Sequence, residues 1–106
     1  MQNLYDNKKG IYELNGSHLS RNKDNQVVSL HENFVNKVYM LIFYAPWCGH
    51  CKRMVDDITK LGETLHNEGF SIGTINCDKH ENVANQFKIE GFPTIYFSSN
   101  NKSEVY

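Results

Sequence analysis

No apolar stretch in this 106-residue chain approaches the roughly 18 residues that a membrane-spanning helix needs. The longest, Val38 to Pro46, has the length of a strand. A membrane is therefore not expected among its partners. Charge of one sign is equally scarce, with a net charge of -1 and no like-charge block larger than pairs such as Lys8-Lys9 and Asp56-Asp57. Electrostatic capture of nucleic acid or anionic lipid depends on a concentrated basic surface that this composition does not offer. Met1 to Gly10 is polar and has no apolar h-region, so a secretory form is expected to carry its signal outside these residues. The terminal Glu104-Val105-Tyr106 is not a retention signal, and the chain has no internal repeat.

Cysteine is also in short supply, with three residues in all. Structural zinc usually takes four ligands. Beyond Cys48, Cys51 and His50 the sequence offers only Cys77 and the scattered His18, His31, His66 and His80, with no second paired knuckle. Haem attachment needs histidine directly after the second cysteine of a C-x-x-C pair, and Lys52 stands there. Neither a metal nor an organic cofactor is expected. If Cys48 and Cys51 form a pair, Cys77 is left over and reads as a small buried hydrophobe.

What the chain does contain is enough apolar residue, 40% of the total in 12.3 kDa, to bury one core, so a single domain over residues 1–106 is expected. Its most informative segment is Ala45-Pro46-Trp47-Cys48-Gly49-His50-Cys51-Lys52. Two intervening residues let the thiols close a small ring. A helix beginning here would put backbone N–H groups and positive dipole beside the first sulfur. Such sites pull a thiol pKa from about 8.5 to between roughly 3.5 and 7.5. Cys48 is thus the better nucleophile, and Cys51, a turn further in, the less exposed thiol. An imidazole at His50 would favour the Cys48 thiolate and so the reduced pair, which makes the disulfide a stronger oxidant.

Around this segment, Ile11-Tyr12-Glu13-Leu14 reads as a short strand, followed by a polar stretch from Asn15 to Asn25 that offers no core face. The spacing of Val27, Val28, His31, Phe34, Val35 and Val38 predicts an amphipathic helix, in preference to a strand over Val27-Val28-Ser29-Leu30 with a short helix after it. Met40 to Tyr44 is a central strand covered on both faces. Cys51 to His66 is a helix whose Met54, Ile58, Leu61 and Leu65 form one buried stripe, closed by Gly69. Ser71 to Cys77 reads as a strand, Glu81 to Phe87 as a short helix, and Thr94 to Phe97 as a strand with Ser103 to Tyr106 as its hairpin partner. The pattern predicts an α/β fold: a mixed sheet with helices on both faces. Asn15-Gly16-Ser17 and Asn101-Lys102-Ser103 match the glycosylation acceptor pattern at a frequency expected by chance.

A second segment, Gly91-Phe92-Pro93-Thr94, leads straight into a strand, and a proline there is a plausible site for a cis peptide bond. Pro93 follows Cys48 by 45 positions. With the octapeptide, this spacing resembles a catalytic domain of the protein disulfide isomerase family in the thioredoxin superfamily, over about residues 11–106. Residues 1–10 read as a polar extension. The resemblance implies that Cys48 attacks or is attacked by a client, that Cys51 resolves the mixed disulfide, and that Pro93 lies cis opposite the thiols. It further implies that Phe92 offers backbone hydrogen bonds to an extended client, with Trp47, Gly49 and Phe92 at the client-binding rim. The implied partners are unfolded or misoxidised proteins and an upstream thiol oxidase or glutathione, and the implied location is the endoplasmic reticulum lumen.

Three departures from the family stand out. Ile42 replaces a buried acid that exchanges the resolving cysteine's proton, and Thr74 replaces its usual basic companion, so a charge pair is lost as a unit. The expectation is slow deprotonation of Cys51 and long-lived mixed disulfides. Asp56 replaces a helix proline, and the family's last helix and its arginine are expected to be absent from this chain. The leading reading is an oxidoreductase that forms and rearranges disulfides. The alternative is a client-binding, chaperone-like module of the same fold with weak turnover.

Overall fold

The computed structural model describes residues 3–6, 8, 10–21, 27–29, 31, 34, 38–99 and 102–105. Its main sheet has five strands: β1 (Ile11–Leu14), β4 (Val38–Tyr44), β5 (Phe70–Asn76), β6 (Thr94–Ser99) and β7 (Lys102–Val105), in the order β1-β5-β4-β6-β7. β1 and β4 run parallel to β5, β6 runs antiparallel to β4, and β7 closes the sheet as a hairpin partner of β6. The short β2 (Leu19–Arg21) and β3 (Val27–Ser29) pair separately and antiparallel.

β4 is central because it has nothing polar to offer solvent: from Tyr39 to Tyr44 every residue is buried. Its side chains alternate between two cores. Tyr39, Leu41 and Phe43 pack with Leu14, Leu19, Phe34, Ile75, Val83 and Phe87. Met40, Ile42 and Tyr44 pack with Tyr5, Ile11, Cys51, Ile58 and Ile72. The second core lies under α1 (Gly49–Leu65), whereas α2 (Glu81–Gln86) supplies Val83 to the first. Helices therefore cover both faces, as the alternation of elements predicts.

Close packing decides two glycine positions. At Gly10, φ is +77° and a Cβ would stand 2.3 Å from the Gly62 carbonyl oxygen of α1. At Gly73, in the middle of β5, a Cβ would meet Leu14 at 2.7 Å and Leu41 at 3.0 Å. Neither place admits a side chain without displacing its neighbours.

Three expectations are corrected. Val27–Ser29 is a strand, so the predicted helix over 27–38 does not begin there. The reason is a partner that spacing cannot reveal, since Leu19–Arg21 lies antiparallel to it. Residues 30, 32, 33 and 35–37 of that expected helix lie outside the described residues. The polar stretch after β1 does contribute to the core, through Leu19, which is 2% exposed. Finally, α1 starts at Gly49 and not Cys51, because Cys48 itself caps it.

Candidate functional site: a dithiol at the start of α1

β4 ends at Tyr44, and the chain passes through the buried Ala45 and turns at Pro46 and Trp47 before α1 begins. Cys48 occupies the N-cap with extended backbone, φ -75° and ψ 118°, and its sulfur accepts the Cys51 N–H at 3.4 Å. An N-cap ordinarily satisfies one of the free N–H groups of the first turn with a side-chain oxygen. Here the acceptor is the reactive atom, so folding the helix also orients the thiol. Gly49 and His50 follow, both exposed, and Cys51 faces the core at 1% exposure.

The two thiols therefore differ in acidity. A hydrogen bond from the Cys51 thiol holds the Cys48 pKa below its ordinary 9.0. Partial burial opposes this, while the backbone N–H groups of Cys51 and His50 and the positive charge of Arg53 add to it. Cys51 is pushed up to about 12, first by burial and then by the hydrogen bond it gives to Cys48. Cys77, buried at the end of β5, is likewise pushed up to about 12 by burial, consistent with a structural role.

Phe92 and Pro93 come up against these thiols from the loop before β6. The Phe92–Pro93 peptide is cis. The Cys48 thiol donates to the Phe92 carbonyl at 3.6 Å, so the first sulfur sits directly beside the backbone of the proline loop. Trp47, 56% exposed, stands edge-on to the Phe92 ring at 5.8 Å between centroids. The site residues expected from sequence, Trp47, Cys48, Gly49, His50, Cys51, Phe92 and Pro93, thus converge on one end of the sheet. The histidine is the exception in detail: what His50 gives Cys48 is its backbone N–H.

Other contributors were not legible in the motif. Asp78 accepts the Trp47 indole N–H at 3.1 Å. Buried Asn76 shapes the loop that carries Asp78, its Oδ1 accepting the Asp78 N–H at 3.0 Å and the Lys79 N–H at 3.3 Å. Arg53 lies one turn beyond Gly49 and bears on Cys48 electrostatically. Glu13 is the largest surprise. Ile42 and Thr74 are fully buried and uncharged, as expected, yet the region below the dithiol does contain an acid. The Thr74 hydroxyl donates to Glu13 Oε2 at 3.1 Å, and the Tyr44 hydroxyl donates to Glu13 Oε1. Alternation along β1 placed Glu13 on the same side as buried Ile11, and an acid on the inward side of a strand is a signal that sequence alone could have raised.

Among the described residues no group of three or more His, Cys, Asp or Glu is placed to hold a metal ion. A thiol acidified at a helix start, a buried partner one turn on and a proline loop against the first sulfur together define a thioredoxin-type dithiol domain. The sequence pattern of the Thioredoxin family matches residues 19–106, and the chain belongs to that family. It is 32% identical over 105 residues to protein disulfide-isomerase A6 of Mesocricetus auratus, covering 97% of this chain and 22% of that protein. To a Drosophila melanogaster homologue of the same protein it is 34% identical over 103 residues, covering 94% and 21%. The chain thus spans about a fifth of the length of these curated relatives. The J-Trx1 fragment of ERdj5 has the same fold, with a TM-score of 0.74 at 16% identity over 97% of this chain and 46% of that one. The Drosophila melanogaster thioredoxin Deadhead aligns with a TM-score of 0.60 at 29% identity, over 67% of this chain and 68% of its own.

Proposed function

We propose that this domain forms and rearranges disulfides in folding client proteins through Cys48 and Cys51. The carrying observation is the asymmetry of the pair: a partly exposed thiol with lowered pKa beside a buried one raised to about 12. The first is the more readily ionised of the two, so the order of events follows. The Cys48 thiolate attacks a client disulfide, one client sulfur leaves with the electron pair, and a mixed disulfide remains. Cys51 then attacks Cys48, the protein closes its own disulfide, and the client is released reduced at that sulfur. Run in reverse, two electrons pass from client thiols to the protein disulfide and the client gains the bond. Isomerisation needs only the first step and its reversal.

In this reading Trp47 and Phe92 give the rim its apolar character, and Gly49 keeps the approach to Cys48 open. The backbone beside Pro93 pairs with an extended client in a sequence-tolerant way, adding a short strand. His50 favours the reduced pair. The partners are unfolded or misoxidised proteins, with a thiol oxidase or glutathione restoring the disulfide, and no cofactor takes part. The unit works as one thioredoxin-like domain in an oxidising secretory compartment, the endoplasmic reticulum lumen.

A second reading, a client-binding module with weak turnover, draws on Ile42 and Thr74, which leave the centre of the sheet without the family's charge pair. Refolding of a protein with scrambled disulfides separates the two. The first reading expects many clients rearranged per domain, with Cys51→Ala accumulating one stable adduct; stoichiometric adducts with the unaltered protein would favour the second. The reduction potential of the pair adds an independent measure: a value near roughly -180 mV fits oxidation and isomerisation, and one near roughly -270 mV fits a reductant.

A further inference from the structure

We infer that Glu13, held by Tyr44 and Thr74 on the α1 side of the sheet, is the proton acceptor on which Cys51 depends when it resolves a mixed disulfide. The inference rests on the dithiol reading above and adds a group which that chemistry leaves unused. Among the described side chains every other Asp and Glu is exposed, whereas Glu13 is largely enclosed.

Register explains how a residue of β1 serves a cysteine of α1. Glu13 pairs with Thr74, and Thr74 pairs with Ile42, so the three form one row across β1, β5 and β4. Residues in such a row share a face. Ile42 and Tyr44 lie in the same buried cluster as Cys51. Two strand spacings, roughly 10 Å, separate the backbones of Glu13 and Ile42. Two side chains close that gap between them: the Glu13 carboxyl lies beside the small Thr74, and the long Tyr44 side chain brings its hydroxyl to it. Tyr5 packs edge-on against Tyr44 at 5.5 Å, and after burial itself, both Cys51 and Glu13 oppose ionisation of its phenol. The thiol and the carboxyl therefore act on one shared region of the core.

The carboxyl is suited to take a proton and return it. Burial raises its pKa to about 7, the Tyr44 and Thr74 hydroxyls hold it down, Asp6 raises it and Lys79 lowers it. Cys77, packed in the core on the opposite face, still feels the charges of both Cys51 and Glu13. Asn3 and Asn76 complete the surroundings as neutral groups, Asn76 donating to Asn3 at 2.9 Å. Near neutrality a substantial share of Glu13 is ionised, while very little of Cys51 is.

In resolution the Cys51 proton passes to the Glu13 carboxylate, and the resulting thiolate attacks Cys48 Sγ. The Cys48–Cys51 bond forms as the bond from Cys48 to the client sulfur breaks. The electron pair leaves on the client sulfur, which takes a proton from water, and Glu13 later releases its own proton to water. During client oxidation the same carboxylic acid returns a proton to Cys51 as that thiol departs.

The test is rapid-quench kinetics with oxidised glutathione on the whole chain, following release of the second glutathione between pH 5 and 10. The rate is expected to rise with pH and bend near 7. Glu13→Gln should lose that limb, running at least about tenfold slower at pH 7 and converging with the unaltered protein at the alkaline end. Tyr44→Phe should keep the limb but move it to higher pH, because a hydroxyl that favours the carboxylate is gone. A Gln variant with an unchanged profile, or one slowed equally at every pH, overturns the inference. Should that variant fail to fold, an unmoved limb in Tyr44→Phe does the same. No second release at any pH from the unaltered protein would overturn the dithiol reading as well.

Discussion

Removing the Glu13 charge should make the fold more stable in alkaline solution, and the size of the effect follows from its surroundings. The carboxyl has a pKa of about 7 in the folded chain against an ordinary 4.5. The folded state thus holds this proton more tightly than the unfolded state does. Below about pH 4.5 both states are protonated and the contribution to stability is complete. Between 4.5 and 7 the unfolded chain loses its proton first, so stability falls as pH rises; above about 7 both states are ionised and the decline stops. At 1.36 kcal/mol per pH unit the total is at most about 3 kcal/mol, before the screening that its residual exposure allows. Glu13→Gln keeps the size of the side chain and abolishes the titration. The stability of the variant relative to the unaltered protein should therefore climb by up to about 3 kcal/mol from pH 4.5 to 8. Urea unfolding of both reduced proteins, followed by far-UV circular dichroism across that range, measures it. At a slope of about 1 to 2 kcal/mol per molar, the relative shift in midpoint is roughly 2 M. Other titrating groups are common to both proteins and cancel in the difference. A difference that stays flat with pH, or falls, would refute the assignment of an elevated pKa to Glu13 and the account of its burial.

Two further outcomes are expected. Iodoacetamide should modify Cys48 with an apparent pKa below 9.0, while Cys51 and Cys77, both at about 12, remain unmodified at neutral pH; mass spectrometry of the labelled peptides checks this, and early labelling of Cys51 contradicts it. Asp78→Ala should free the indole of Trp47 at a cost of about 0.5 to 1.5 kcal/mol. Because Trp47 is the only tryptophan, lower fluorescence anisotropy reports the loosening, and unchanged anisotropy would mean that packing on Phe92 holds the ring without Asp78.

The limits of sequence reading fall at particular residues. Val27, Val28, His31 and Phe34 satisfy a helical spacing, but a short β-branched run satisfies a strand equally well, and the pairing with Leu19–Arg21 settles it. Leu19 looks isolated among polar neighbours and is buried all the same, because β2 and α2 meet there. Reading Ile42 and Thr74 as a lost charge pair attends only to those two positions, both buried and uncharged. It misses that a carboxyl can reach the same side of the sheet from β1, two strands away.

By itself the sequence determined the chemistry of the pair: two thiols two residues apart, at the junction of an apolar strand and an amphipathic helix, with a proline segment 45 positions on. These are local matters of spacing and periodicity, which the chain carries in its order. Tertiary structure alone decided which groups surround the thiols. Asp78 reaches Trp47, Phe92 receives the Cys48 thiol, and Glu13 meets Tyr44 and Thr74, because strand register brings together residues far apart in the chain. Burial then sets their acidities, and burial belongs to the packed core and not to any single segment.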